Sequence, residues 1–188
     1  MIKEYFKKYN IFSDQYIEEL SQLFIPKTLR KADYFIKEGE NCKEIAFITS
    51  GIFRSYYLTE NGNESTFCFR FTNDLLAPYS AFITGHPSLE TMQAITDSNL
   101  LIIKKEQIDQ ITLDDPNWIK FLKINAEHEY IELEKRFFQL QRDTASTRYK
   151  KLIENHPEYI QQIPLQYLSS YLGVTQRHLS RIRSEVHF

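Results

Sequence analysis

The apolar residues of this 188-residue chain change their spacing twice, from threes and fours to twos at Tyr34 and back to threes and fours at Asp114-Asp115-Pro116. Such a chain must build strands between a leading helix and a run of later helices, each with an apolar face to bury. Upstream, β-rich runs at 34–37, 44–49, 52–58, 65–71, 91–96 and 99–104 are separated by turn chemistry. Glu38-Gly39-Glu40-Asn41, Ser50-Gly51 and Glu60-Asn61-Gly62-Asn63 supply residues that tolerate positive φ, and Asn-Gly between alternating runs is a strong hairpin signal. Short antiparallel strands at this spacing predict a barrel or sandwich. Ahead of them, Ile11, Tyr16, Ile17, Leu20, Leu23 and Phe24 recur at threes and fours behind Ser13-Asp14, which predicts a helix that Pro26 stops.

Downstream, acidic residues and a proline suit a helix start. Ile119, Leu122, Ala126, Tyr130, Leu133, Phe137 and Leu140 then come at steps of three and four over about 26 residues, or about 39 Å at 1.5 Å per residue. One apolar stripe flanked by Glu132, Glu134, Lys135 and Arg136 suits a seam against a partner helix; a helix lying on its own barrel would show the same spacing. A further helix is expected over 144–154, a break at Asn155-His156-Pro157, and a domain boundary near Asp143.

Composition bounds the rest. With 42% hydrophobic and 26% charged residues the chain is an ordinary globular one, which excludes disorder. Its longest apolar runs, such as Leu100 to Ile103, fall far short of the roughly 18 residues that span a bilayer, and Met1-Ile2-Lys3-Glu4-Tyr5-Phe6-Lys7-Lys8 is charged where a signal peptide is apolar. A cytoplasmic location away from the membrane is expected. Cys42 and Cys68 are the only cysteines, too few and too far apart for a disulfide scaffold. A formal charge of −2 argues against a nucleic-acid partner.

The most specific stretch contradicts that inference. In Pro164-Leu165-Gln166-Tyr167-Leu168-Ser169-Ser170-Tyr171-Leu172-Gly173-Val174-Thr175-Gln176-Arg177-His178-Leu179-Ser180-Arg181-Ile182-Arg183, two short helices meet at a glycine. Leu168, Leu172, Leu179 and Ile182 would fill the corner between them, and Ser169 is small where they approach. Gly173 ends the first helix in a conformation that costs other residues about 1 kcal/mol, and Thr175 caps the second. That is the pattern of a helix-turn-helix, in which the second helix enters the major groove; a helical hairpin that caps a core is the competing reading. On its outer face Gln176, Arg177, Ser180, Arg181 and Ser184 are donors with no evident acid partner, Glu185 being the only acid after position 163.

Here the chain resembles the Crp/Fnr family of bacterial transcription regulators, in a style closest to members from the Bacteroidetes. The Leu172-Gly173-Val174-Thr175 and Leu179-Ser180-Arg181-Ile182 pattern is similar to that family's recognition unit, and Gly39-Glu40, Ile45-Ala46-Phe47-Ile48 and Gly51-Ile52-Phe53-Arg54 are similar to its early roll strands. The resemblance implies an α+β fold: an N-terminal antiparallel, jelly-roll-like β-roll of the cyclic-nucleotide-binding type with its leading helix (1–114), a dimerisation helix (115–142) and a helix-turn-helix domain (143–188). It implies base reading by Gln176, Arg177 and Arg181, with Arg181 suited to bidentate pairing with guanine. Gln166, Thr175, Ser180 and Arg183 fit phosphate contacts. The dimer seam is the stripe from Ile119 to Leu140. Implied partners are double-stranded DNA carrying a pseudo-palindromic operator, a second copy of the chain, RNA polymerase and an unidentified small-molecule effector. Few residues follow Ser184, so the β-wing of the family is expected to be truncated or absent.

Nucleotide-binding members carry a Gly-Glu pair for the ribose and a later arginine for the cyclic phosphate. Pro78 falls where the glutamate belongs, in Asn73-Asp74-Leu75-Leu76-Ala77-Pro78-Tyr79-Ser80-Ala81-Phe82, and the arginine position falls near Ser88-Leu89-Glu90. A buried phosphate would lack its charge-assisted bonds and meet a carboxylate, so no response to cyclic AMP is expected. In 65–71, Phe67, Phe69 and Phe71 share one strand face and Thr66, Cys68 and Arg70 the other. Phe67, Arg70, Tyr79 and Phe82 are candidates for lining a ligand cavity; plain core is the competing reading. No cofactor is expected: an iron–sulfur cluster needs four cysteines, and His86 is a lone haem-ligand candidate. Cys68 is a strand cysteine that packs or titrates.

The rivals are a cupin-like metal or small-molecule protein and an interaction module without DNA binding. A cupin site needs two or three histidines converging from neighbouring strands, whereas His86, His128, His156, His178 and His187 are scattered and His128-Glu129-Tyr130-Ile131-Glu132 lacks a second histidine. No enzyme is expected. The charge then divides: residues 1–142 carry 17 basic and 21 acidic side chains, residues 143–188 carry 6 and 4, so near-neutrality averages an acidic front with a basic reader.

Overall fold

The computed structural model describes residues 1–185. The chain divides into two compact units, one of residues 1–57 and 68–125, the other of 58–67 and 126–188. The division therefore falls inside the long helix rather than near Asp143, and a hairpin tip joins the helical unit.

The first unit is an antiparallel roll, as the resemblance implies, built from short strands of the kind the spacing predicts. Its strands are β1 (Ile25–Leu29), β2 (Tyr34–Ile36), β3 (Glu44–Ser50), β4 (Phe53–Leu58), β5 (Glu64–Arg70), β6 (Leu75–Leu76), β7 (Thr91–Ala94) and β8 (Ser98–Lys104). They form two four-stranded sheets ordered β1-β8-β3-β6 and β2-β7-β4-β5. Strand β3 pairs with β8 through Ala46↔Ile102 and Ile48↔Leu100. Its Ile45, Ala46, Phe47 and Ile48 are all buried, which is why that strand reads as a continuous apolar run instead of an alternation.

Two strands escape the periodicity. Strand β6 is two residues long. Strand β1 contains Pro26, which was expected only to stop a helix; β1 is a sheet edge, where a missing N–H is tolerated. Gly51, between β3 and β4, has φ 111°, and a Cβ there would stand 2.1 Å from Ser98 Oγ. The predicted Asn-Gly hairpin forms between β4 and β5: Thr59 N–H donates to Asn63 C=O at 2.9 Å, with Gly62 at φ 75°.

Helices α1 (Ile2–Lys7) and α2 (Asp14–Gln22) precede the strands. Ser13 caps α2 as expected, its Oγ accepting from Tyr16 N–H at 3.2 Å, but the helix ends before Pro26. Helix α1, α3 (Tyr79–Thr84) and α4 (Lys105–Asp114) are too short or too polar for a clear stripe and were not anticipated. The long helix α5 (Pro116–Arg142) has the predicted bounds. Its first turns anchor in the roll unit: Trp118 and Phe121 are buried, with Phe121 edge-on to Tyr9 at 4.8 Å between ring centroids and 5.4 Å from Phe6. Asn125 Oδ1 accepts from the hydroxyls of Tyr5 and Tyr9, each at 3.1 Å. Burial first, and then a hydrogen bond to Asp115, push the Tyr16 hydroxyl pKa up to about 12.

The second unit holds the hairpin tip, the rest of α5, and α6 (Ala145–Asn155), α7 (Pro157–Gln162), α8 (Leu165–Tyr171) and α9 (Gln176–Glu185). Thr144 caps α6, Oγ1 accepting from Thr147 N–H at 3.2 Å. The break at Asn155-His156-Pro157 is real but brief, since Pro157 opens α7. Residues 186–188, where a wing would begin, lie outside the described residues.

Candidate nucleic-acid interface

Helices α8 and α9 form the corner that the sequence predicts. Leu168, Leu172, Leu179 and Ile182 are each at most 3% exposed, and Ser169 is buried with its hydroxyl turned back to Gln166 C=O at 3.0 Å. Gly173 follows with φ 68°; its N–H donates to Ser170 C=O and Val174 N–H to Ser169 C=O, both at 3.0 Å, so the last carbonyls of α8 are satisfied. Thr175 Oγ1 then accepts from His178 N–H at 3.2 Å and starts α9.

With one side of α9 committed to the corner, the other is polar. Gln176, Arg177, Ser180, Arg181, Arg183 and Ser184 are exposed, as are Gln166 on α8 and Thr175. One expectation needs correcting: Arg181 does have an acid partner, Glu185, one turn on. Their separation of 3.8 Å between two exposed side chains is worth little in water and is readily exchanged for a phosphate or base. Ser184 spends its hydroxyl on Arg181 C=O at 2.7 Å.

Arginines outside the motif hold the corner in place, and sequence reasoning missed both. Arg148 of α6 donates from Nη2 and Nε to Leu172 C=O at 2.9 and 3.3 Å, and from Nη1 to Asp143 C=O at 2.6 Å. Arg136 of α5 donates to Tyr171 C=O at 2.8 Å and lies over the Tyr171 ring at 3.7 Å. Both serve the carbonyl end of α8, where cations are favoured. Arg136 reads in the sequence as one more charged flank of the stripe, and only the fold separates it from Lys135, which pairs with Glu132 at 2.7 Å.

The stripe itself is uncovered. Ile119, Tyr130, Leu133, Phe137 and Leu140 are exposed, and Leu122 and Ala126 are partly so. Ile131 and Phe138, outside the predicted seam, are exposed too.

In the roll, the cassette positions lack the cyclic-nucleotide charges. Pro78 precedes α3 and is buried. Ser88 is a structural staple: its hydroxyl donates to Glu90 C=O at 2.7 Å, and its backbone bonds Gly39 N–H and Glu40 C=O, each at 2.8 Å. Glu90 accepts from the Ser55 hydroxyl. The cation buried in the roll is Arg54, whose Nη2 and Nε donate to Gln93 Oε1 at 2.7 and 3.1 Å and which stacks over Tyr56; the cavity prediction named Arg70 instead, which is only half-buried. Of the other cavity candidates, Phe82 is core, under Lys105 Nζ at 4.6 Å, and Tyr79 is half-buried. Phe67 is exposed on the hairpin tip, so it does not share the burial of Phe69. Cys42 is buried, which raises its thiol pKa and keeps it unreactive.

Among the described residues no group of three or more His, Cys, Asp or Glu is placed to hold a metal ion, and no helix is long and apolar enough to cross a membrane. Residues 26–115 match the cyclic nucleotide-binding domain model. Over 92 residues the chain is 34% identical to the fumarate nitrate reduction regulatory protein of Klebsiella oxytoca and 33% identical to that of Escherichia coli K12. The match covers 48% of this chain but only 36% of each relative's length. Among solved structures, a Crp/Fnr family transcriptional regulator from Eubacterium rectale aligns with a TM-score of 0.76 at 18% identity, over 97% of this chain and 87% of the other. FixK2 from Bradyrhizobium japonicum aligns at 0.74 and 20% identity, over 87% and 84%. These two likenesses speak for the fold.

Proposed function

We propose that this chain is a member of the Crp/Fnr family and a homodimeric, sequence-specific DNA-binding transcriptional regulator that does not answer to cyclic AMP. The observation that carries the proposal is α9: a helix fixed by a fully buried corner that turns Gln176, Arg177, Ser180, Arg181 and Arg183 outward. Donors arrayed on a rigid helix with one weakly engaged carboxylate among them suit base edges and phosphates. Gln176, Arg177 and Arg181 read bases; Gln166, Thr175, Ser180 and Arg183 hold the backbone.

The uncovered stripe on α5 supports the dimer. Two copies joined along Ile119 to Leu140 would carry their recognition helices to successive major grooves about 34 Å apart on a pseudo-palindromic site. The reader's small excess of basic groups makes a single chain a weak binder, and pairing multiplies its affinity. In functional terms residues 1–114 are the sensor, 115–142 the pairing helix and 143–188 the reader, acting in the cytoplasm on DNA and RNA polymerase. The sensor's effector is a small molecule other than a cyclic nucleotide, since Ser88 and Glu90 replace the phosphate-binding cation.

Site selection from fragmented genomic DNA with the purified protein tests this reading. Enrichment of a two-fold symmetric site with half-sites about one helical turn apart is expected; no enrichment above background would overturn it. Calorimetric titration with cyclic AMP should be silent, and micromolar binding would refute the sensor assignment.

A further inference from the structure

The hairpin tip Leu58–Phe67 groups with the helical unit, although strands β4 and β5 continue into the second sheet of the roll. Its point of attachment is one side chain of the reader. Ser170, near the end of α8, accepts from Thr66 N–H at 2.8 Å and donates to Glu64 C=O at 3.0 Å, so its hydroxyl completes the strand edge as a backbone group would. One residue on, Arg136 reaches Tyr171 C=O at 2.8 Å, stacks on the Tyr171 ring at 3.7 Å and extends to Thr66 C=O at 3.5 Å. A strand edge, the pairing helix and the first reader helix thus meet at residues 64–66, 136 and 170–171.

From this geometry we infer that Ser170 and Arg136 are positioning residues for DNA recognition: they fix α8, and through the buried corner α9, to the hairpin and to the helix that pairs two copies. The inference rests on the DNA-reading function proposed above. Neither residue faces DNA on α9; both act by holding the reader at a set angle, so that half-site spacing is selected before any base is touched. Without the clasp each reader would swivel about the α5–α6 joint, and fixed spacing would be replaced by an ensemble, with the ordering cost falling at binding.

The clasp has one flaw. Thr66 is 2% exposed and its hydroxyl has no hydrogen-bond partner. An orphaned buried hydroxyl costs stability, and an isosteric methyl does not. Thr66→Val is therefore expected to tighten the clasp, whereas Ser170→Ala loosens it.

Two measurements separate this proposal from the reading it rests on. The first uses no DNA: hydrogen exchange of the amide at position 66. It should be protected in the native protein, exchange about ten-fold faster in Ser170→Ala, recover in Ser170→Thr, and slow in Thr66→Val. A position-66 amide that exchanges freely in the native protein, or is unmoved by Ser170→Ala, overturns the clasp. The second compares affinity for the selected operator with affinity for versions whose half-sites are moved apart by one and two base pairs. Ser170→Ala with Arg136→Lys should lower discrimination between these operators by about ten-fold while leaving the preferred bases of a half-site unchanged. Spacing discrimination equal to that of the native protein refutes the positioning role. A native protein that binds no DNA refutes the reader and leaves the exchange result to decide the clasp.

Discussion

The roll and the helical unit spend their side chains in opposite directions, and α5, which runs through both, measures the difference. Over its first ten residues the helix buries Trp118 and Phe121 against Phe6, Tyr9 and Phe12, and Asn125 satisfies two tyrosine hydroxyls. Over the next seventeen the same kind of residue, at Tyr130, Leu133, Phe137 and Leu140, faces outward. Particular arginines show the same contrast: Arg54 is folded onto Gln93 and Tyr56 inside the roll, while Arg177, Arg181 and Arg183 of α9 are exposed. An apolar stripe and a row of donors left open in one unit are incomplete surfaces, one suited to a second copy and the other to DNA.

The sharpest way to break this comparison is to cut α5 on each side of the divide. Phe121→Ala empties a fully packed aromatic site and should cost about 3–5 kcal/mol in urea unfolding. Gly51→Ala, which drives a Cβ into Ser98, should cost the roll more than about 1 kcal/mol. Leu133→Asp with Phe137→Asp should leave the near-ultraviolet dichroism of the roll intact, yet raise the dimer dissociation constant about a hundred-fold or more, giving monomers by light scattering. A dimer that survives the double change would mean that the outward half of α5 faces something else.

How much of this was visible in the sequence follows from how local each signal is. The corner of α8 and α9 was legible because its glycine, its cap and its four apolar positions lie within a few residues of one another, where spacing alone implies geometry. The stripe on α5 was legible for the same reason, though spacing did not separate Trp118 and Phe121, which are buried, from Ile119, which is not. Strand β1 was hidden by Pro26, whose helix-stopping habit outweighs its tolerance at a sheet edge until the edge is known. Strand β6 and helices α1 and α3 have too few residues to show a period, and α4 is too polar to show a clear stripe. Arg136, Arg148 and Arg54 were missed because their partners, Tyr171, Leu172 and Gln93, lie 24 or more residues away, and nothing in a charge pattern marks which arginine will find a carbonyl. Strand alternation puts Phe67 on the face of Phe69 but does not say how far along the strand that face is covered: Phe67 is exposed and Phe69 buried.

Smaller changes on the outward surface should separate its two kinds of contact. Arg181→Ala removes the proposed base-reading group and should reduce discrimination against the wrong base by about 5- to 150-fold, the equivalent of about 1–3 kcal/mol, while salt-dependent binding to random DNA persists. Arg183→Ala should instead weaken binding to all sequences and lower the slope of affinity against salt by about one. Fluorescence anisotropy on matched and scrambled operators measures both, and identical profiles for the two variants would show that Arg181 does not read sequence.

The smallest expected effect closes the comparison at its two glycines. Gly51 is required twice over, by φ 111° and by Ser98 in the place of its Cβ; at Gly173 the nearest atoms to an added Cβ are Arg148 Nη2 at 3.9 Å and Leu140 Cδ2 at 4.0 Å, an ordinary contact. The requirement there is conformational alone. Gly173→Ala should therefore cost about 1 kcal/mol and Gly173→Asn less, because asparagine tolerates the left-handed region. Thermal unfolding that ranks the two variants the other way would mean that side-chain volume and not φ limits the turn, and that the reader is packed as tightly at this point as the roll is at Ser98.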